Sequence, residues 1–241
     1  MGHKKNDLKQ AFFNWSGGKD SALALYHVLK DNQFEITQLV TTVNSKYNRV
    51  SMHGVRNELL HAQGEAIGIP IKKIFLPETP SMEDYNAIMK EQLSEIKKGN
   101  ITHSIFGDIF LEDLRAYREN KLKEVGLKGY FPLWKRDTKE IVNEFIDLGF
   151  KTMVVCVKSE FLNEDFTGRI IDKDFLKDLP KNVDPCGENG EFHTFVYDGP
   201  IFKKPIEFFI GEKTKRNYTK EEKTNWDTSF WYIDLIPKNI R

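Results

Sequence analysis

The sequence is poor in cysteine, in net charge and in long apolar runs. Only two cysteines, Cys156 and Cys186, occur in 241 residues, which excludes a disulfide-stabilised scaffold. The 36 Lys and Arg residues balance 36 Asp and Glu residues, so the chain lacks the positive excess on which broad nucleic-acid binding depends. No apolar run approaches the ~20 residues that span a bilayer, and the first residues lack a signal peptide's apolar segment. We therefore expect a cytoplasmic protein with no membrane partner and no strong nucleic-acid partner.

The chain is rich enough in apolar residues to form a core. Hydrophobic residues make up 39% of the sequence and aromatic residues 12%, which excludes a disordered chain. The length fits one large domain, or a domain of common size with an appendage.

The first half alternates short apolar runs with amphipathic stretches. Such alternation is typical of βαβ units, which build a parallel sheet covered by helices on both faces. We therefore predict an α/β fold. The predicted strands are Ala11–Trp15, Ile36–Val43, Ile71–Leu76 and His103–Phe106, and the predicted helices are Ser21–Lys30, Val55–Ile67, Met82–Lys98 and Leu111–Val125.

The second half is less regular and predicts a second, smaller α+β domain. Its predicted elements are a helix over Thr138–Leu148, a strand over Thr152–Val157, and an antiparallel pair, Ile206–Ile210 and Phe230–Ile236, joined by a solvated polar arm over Glu212–Lys223. Because glycines cluster at Gly126–Gly129, we predict domains over residues 1–128 and 129–241. A boundary after Val157 is the alternative.

The segment Ser16–Ser21 (SGGKDS) follows the first predicted strand and opens the first predicted helix. Ligands of open α/β sheets bind at this position, beyond the carboxyl ends of the strands. Adjacent glycines let backbone N–H groups approach an anion, and the helix N-terminus adds partial positive charge. Serine hydroxyls and Lys19 complete a predicted phosphate-binding loop.

This loop differs from the common ATPase loop, which would need glycine at position 13 and serine or threonine at position 20. The chain has Phe13 and Asp20 there. A carboxylate beside phosphates is repelled unless a cation intervenes. Asp20 therefore either contacts Mg²⁺ or supports the first helical turn.

SGGKDS resembles the signature of the PP-loop (N-type) ATP pyrophosphatases. The resemblance implies a Rossmann-like sheet of the HUP type and cleavage of ATP between its α and β phosphates with transfer of AMP. ATP and Mg²⁺ are the implied cofactors, and Lys19 and Asp20 are implied catalytic residues. The implied nucleotide-binding residues are Trp15, Ser16, Gly17, Gly18, Lys19, Asp20, Ser21, Thr42, Val43, Asn44 and Gly107.

Asp108 follows the fourth predicted strand and should lie at the same sheet edge as the loop. It is suited to a catalytic role, holding Mg²⁺ with Asp20 or binding a ribose hydroxyl; its alternative role is to cap the helix that follows. Thr42, Val43 and Asn44 end the second strand, where, by resemblance, backbone groups read the adenine edge.

A second resemblance covers residues 11 to about 202 and is to the diphthine–ammonia ligase group, including its bacterial relatives. Two departures concern the substrate. Tyr117 stands where a second arginine is usual in the ligases, with Arg118 one place off, and Asn189 replaces a second glycine. The matching segments are SMHGVR (51–56), AIGIP (66–70), GDI (107–109), PLW (132–134), GR (168–169) and GENGEFHTF (187–195).

Several polar residues are candidates for substrate binding. Glu188 and Glu191 lie in a glycine-rich loop, and two carboxylates there are suited to bind ammonium and accept its proton. We therefore also consider both of them catalytic; a solvated acidic turn is the alternative. The full candidate set for the substrate is His53, Arg56, Arg115, Glu119, Gly187, Glu188, Glu191 and His193.

The sequence thus predicts an ATP-dependent ligase that adenylates a carboxylate, releases AMP and pyrophosphate, and forms an amide with ammonia. The carboxylate is either protein-borne diphthine or an unknown small molecule, and a homodimer is left open. The alternatives are a tRNA-modifying enzyme that adenylates a base, a non-catalytic ATP-binding sensor, and an interaction role for the C-terminal hairpin.

Overall fold

The computed structural model describes residues 8–50, 53–218 and 228–238. A parallel sheet and four helices form the first half of the chain. The strands are β1 (Lys9–Asn14), β2 (Phe34–Asn44), β3 (Arg49–Val50), β4 (Ile71–Leu76), β5 (His103–Ile105) and β6 (Lys128–Tyr130), and the helices are α1 (Lys19–Asp31), α2 (Asn57–Ile67), α3 (Met82–Lys97) and α4 (Glu112–Glu124).

The parallel strands lie side by side in the order β4–β2–β1–β5–β6. The short strand β3 pairs antiparallel with the end of β2, at Val43 and Asn44. Side chains alternate across the sheet, so Ala11 and Phe13 enter a core cluster with α1 and α2, whereas Phe12 enters a second cluster with α3 and α4. Helices therefore cover both faces of a parallel sheet, and the α/β prediction is confirmed.

The second half forms an antiparallel sheet in the order β8–β7–β10–β9. Its core is continuous with the α1–α2 side of the first sheet: Phe195 and Ile233 belong to the same buried cluster as Phe13. The elements are α5 (Thr138–Asp147), β7 (Lys151–Lys158), a 3₁₀ turn (Glu164–Phe166), α6 (Lys173–Asp178), β8 (Phe192–Asp198), β9 (Phe208–Tyr218) and β10 (Thr228–Pro237). The second, α+β unit is thus also present.

The structure departs from the predicted elements in three places. The polar arm over Glu212–Lys223 is exposed strand as far as Tyr218, and its residues from Lys213 onward pair one after another with β10; its residues 219–223 lie outside the described part. Ile206 and Glu207 precede β9 instead of belonging to it. Strands β3, β6 and β8 and helix α6 were not predicted at all. The proposed domain boundary falls within β6 and stays a prediction.

No helix in the described ranges combines the length and the apolar character needed to cross a bilayer.

Candidate active site

The loop between β1 and α1 turns sharply at Gly17, whose φ is +80°. Its carbonyl accepts hydrogen bonds from Val196 N at 2.9 Å and from Gln63 Nε2 at 3.0 Å. A Cβ on Gly17 would lie 2.8 Å from Gln63 Oε1. Both the left-handed backbone and the close approach therefore require glycine here.

Gln63 was missed from the sequence. This α2 side chain is fully buried, with 0% exposure. It accepts from Trp15 Nε1 at 2.8 Å and donates to the carbonyls of Gly17 and Val196. A single amide thus links the loop to α2 and β8. The sequence carries one sign of this role: Gln63 is a polar residue on the apolar face of a helix, between Leu60 and Ile67.

The hydroxyls predicted to bind phosphate lie close together. Ser16 Oγ is 3.0 Å from Ser21 Oγ and accepts from Gly18 N at 3.2 Å. No side chain caps α1 at Gly18. Lys19 N donates to Thr194 Oγ1 at 3.0 Å, so β8 of the second sheet reaches the first turn of α1.

Lys19 is buried, with 3% exposure, and remains charged. Its Nζ donates to Asp20 Oδ2 at 2.8 Å and to the Cys186 carbonyl. Burial alone would lower the pKa of Lys19, but Asp20, Cys186 and Glu188 together outweigh burial and the pKa rises. The site therefore holds a fixed cation at the start of α1.

Three carboxyl groups surround this cation. Burial raises the pKa of Asp108. The positive charge of Arg118 lowers this pKa in part, and the negative charge of Asp20 raises it again. Burial, with the charge of Asp20 added, raises the pKa of Glu188 to about 7. Glu188 Oε1 accepts from Ile109 N at 2.9 Å. Asp20 Oδ1 and Asp108 Oδ2 are buried without a hydrogen-bond partner, although Arg118 lies 3.2 Å from Asp108 Oδ2.

Two histidines close another side of the site. Their rings lie 4.7 Å apart between centroids, with 33° between their planes. His53 Nδ1 is 3.2 Å from the Thr194 carbonyl, and burial lowers the pKa of His53 to about 4. Burial also lowers the pKa of His193, whose Nε2 has no partner. Both imidazoles are neutral near pH 7.

These groups share one cavity of about 850 Å³. Its wall includes these predicted site residues: Trp15, Ser16, Gly18, Lys19, Asp20, Ser21, Thr42, His53, Gly107, Asp108, Gly187, Glu188 and His193. The structure therefore brings together residues from five segments of the sequence.

Other predicted residues lie off this wall. Val43 is fully buried in the core. Asn44 accepts from the backbone of Lys46 and Tyr47 and so stabilises the β2–β3 turn. Gly17 turns its carbonyl toward Gln63.

The two predicted substrate-binding arginines also lie outside the cavity wall. Arg56 NH2 is 2.6 Å from Asp234 Oδ2. Arg115 packs over the rings of Phe131 and Trp134 at 4.7 and 4.6 Å and pairs with Glu119, which is off the wall too.

Glu191 supports the loop that carries Glu188. It is 2% exposed, and its Oε1 accepts from Asp184 N at 3.0 Å and from Asn189 Nδ2 at 3.1 Å. Both cysteines are free and buried. Burial raises the pKa of the Cys186 thiol, so it is a poor nucleophile.

Models of two diphthamide synthase domains match the chain in succession. The N-terminal domain model matches residues 9–129 and the C-terminal domain model matches residues 137–237.

Several curated relatives carry the name diphthine–ammonia ligase. The one from Schizosaccharomyces pombe is 27% identical over 79% of this chain and 34% of that protein. The one from Homo sapiens is 32% identical over 48% of this chain and 46% of that protein. The chain thus spans between a third and a half of the length of these two relatives. The relative from Rattus norvegicus is 25% identical over 79% of each chain.

A solved U34-tRNA thiolase from Methanococcus maripaludis is 18% identical and superposes with a TM-score of 0.36, covering 61% of this chain and 60% of that one. A likeness this weak informs neither fold nor function. The N-terminal domain model alone, by contrast, covers just over half of the 241 residues. The chain belongs to the diphthamide synthase family.

Proposed function

We propose that this protein is an ATP-dependent ligase that adenylates a carboxylate, releases pyrophosphate, and then forms an amide with ammonia. The observation that carries the proposal is the buried, charged Lys19 in the first turn of α1, in one cavity with three carboxyl groups. The family membership and the relatives named as diphthine–ammonia ligases support it.

The triphosphate would bind at the start of α1. The amide groups of its first turn, the hydroxyls of Ser16 and Ser21, and Lys19 are suited to a polyanion. The adenine ring would then lie along the end of β2, because Thr41 and Thr42 line the cavity beside the loop.

Asp20 and Asp108 fit a role as magnesium ligands. Each has one buried carboxylate oxygen that accepts no hydrogen bond, although that of Asp108 faces Arg118, and Mg²⁺ is commonly bound by one or two carboxylates together with substrate phosphates. The ion would offset the charge of the phosphates when bound.

Positioning and charge stabilisation would supply most of the rate enhancement. Lys19 and the α1 amides would hold the phosphates while the substrate carboxylate attacks the α-phosphorus in line and pyrophosphate leaves. Burial beneath the second sheet would keep water from the acyl-adenylate.

Glu188 would act in the second step. A carboxyl group with a pKa of about 7 is ionised enough at neutral pH to accept the proton that ammonium loses before attack. Glu191 would position this loop from outside the cavity.

The test uses ATP labelled at the α-phosphate, together with ammonium and a metabolite extract. We expect labelled AMP and unlabelled pyrophosphate, and no turnover with Lys19→Met. The matched control is Lys30→Met, a change in the last turn of the same helix. Formation of ADP and phosphate by the wild type, or unchanged turnover by Lys19→Met, would contradict the proposal.

A further inference from the structure

The cavity extends from the phosphate loop into a slot between α3 and α4. Few side chains of these helices are fully buried: Leu93 and Ile96 in α3, and Leu122 in α4. Other apolar side chains of both helices line the cavity instead. Apolar surface left facing a concave site is typical of a ligand pocket.

The α3–α4 slot is defined by two inner rows of side chains, one on each helix. Tyr85, Met89 and Leu93 follow one another at four-residue steps along α3, as Leu114, Arg118 and Leu122 do along α4. Residues four apart lie on one helix face. The floor is formed by Val40 and Phe106, which belong to the core cluster beneath these helices.

Polar contacts bridge the helices outside these rows. Tyr117 OH donates to Asn86 Oδ1 at 2.5 Å. Lys90 and Lys121 both approach Glu124, at 3.9 and 2.8 Å. Two cations therefore share one carboxylate at this edge of the slot.

Arg118 is the charged member of the inner rows. Its guanidinium lies 4.5 Å from the centroid of the Phe106 ring and 3.2 Å from Asp108 Oδ2. It therefore stands where the apolar slot meets the carboxyl cluster beside the phosphate loop. An anionic group placed there would be close to the phosphates of bound ATP, and any body attached to it would extend along the slot.

We propose that the α3–α4 slot binds the acyl substrate, and that this substrate is a small amphipathic carboxylate. Its carboxylate faces Arg118 and its apolar body lies between Met89, Leu93, Leu114 and Leu122. This inference rests on the proposed function. The slot suits an apolar body better than the adenine ring, because only Tyr85 and Arg118 of its two inner rows carry hydrogen-bonding side chains.

The test is calorimetric titration of the full chain with 2-naphthoate, octanoate and neutral 2-naphthalenemethanol, each with and without ATP. We expect saturable binding of the two carboxylates, little binding of the alcohol, and no competition with ATP. Arg118→Gln should weaken naphthoate binding about tenfold, the loss typical of one charge-assisted hydrogen bond. Met89→Glu should weaken it at least as much, by placing a like charge in the slot.

The control is Phe209→Glu, on a β9 residue exposed outside the cavity, which should bind naphthoate as the wild type does. Circular dichroism checks that each variant is folded. Competition between naphthoate and ATP would show that the slot holds the nucleotide and would overturn the inference. Naphthoate binding unchanged by both slot variants, or no saturable carboxylate binding, would overturn it too. Because no turnover is measured, these outcomes are independent of whether ATP is cleaved to AMP.

Discussion

Thr194 Oγ1 accepts a hydrogen bond from the backbone amide of Lys19 at 3.0 Å. A strand of the second sheet therefore contacts the first turn of the helix that follows the phosphate loop. The two halves of the chain build the candidate nucleotide site together.

Removing the Thr194 hydroxyl should destabilise the protein. Thr194→Val keeps the shape of the side chain but leaves the Lys19 N–H buried without an acceptor, at a cost of about 1–3 kcal/mol. Thr194→Ser should retain most of the stability. Urea unfolding monitored by tryptophan fluorescence measures both, and equal stability of the Val and Ser variants would contradict this role.

Replacing Gln63 should loosen the phosphate loop. Gln63→Leu removes the two donated bonds and the acceptor for Trp15, so we expect a loss of about 2–4 kcal/mol and a larger dissociation constant for ATP. Gln33→Leu, at an exposed position, is the control. If Gln63→Leu binds ATP as tightly as the wild type, the loop does not depend on this amide.

Gly17 should tolerate no side chain, for two separable reasons. Gly149 has nearly the same φ, +81° against +80°, but open space around its Cβ position. Gly149→Ala therefore measures backbone strain alone, about 1 kcal/mol. Gly17→Ala adds the clash with Gln63 and should lose more stability and weaken ATP binding. Equal losses of stability in the two variants would rule out the clash.

Glu188 should make stability depend on pH. Its pKa is about 7 in the folded protein, against an ordinary value of 4.5. Between pH 4.5 and pH 7, the folded state therefore keeps a proton that the unfolded state has released. The contribution of Glu188 to stability should therefore fall as pH rises from about 4.5 to 7 and then level off, opposite in sign to the contribution of the neutral histidines His53 and His193.

The Glu188→Gln variant should lack this decrease, whereas the exposed Glu91→Gln control should show it. Urea midpoints measured from pH 5 to pH 8 test the effect. A wild type and a Glu188→Gln variant with parallel pH profiles would contradict the raised pKa.

The parallel sheet and the loop were predictable because their signals are local in the sequence. Helix and strand periodicity defined α1 and β4, and SGGKDS directly marked the turn between strand and helix. Strand β6 has only three residues, one of them glycine, and so leaves no periodic pattern. Strand β8 follows a Gly-rich segment that favours a loop assignment.

The supporting residues could not be predicted in the same way. Gln63 and Thr194 act through contacts across 46 and 175 positions of sequence. In the sequence, Arg56 resembles a ligand-binding group because it is a charged residue beside a predicted site. In the structure, Asp234 of β10 pairs with it. Only tertiary packing decides between these roles.

The Gly17 carbonyl points away from the open side of the loop, and this orientation affects the charge that an incoming ligand meets. Because Gln63 and Val196 occupy its lone pairs behind the loop, that oxygen adds no repulsion on the open side, where amide hydrogens, hydroxyls and an ammonium group remain. This orientation of one peptide plane favours an anionic ligand at the loop.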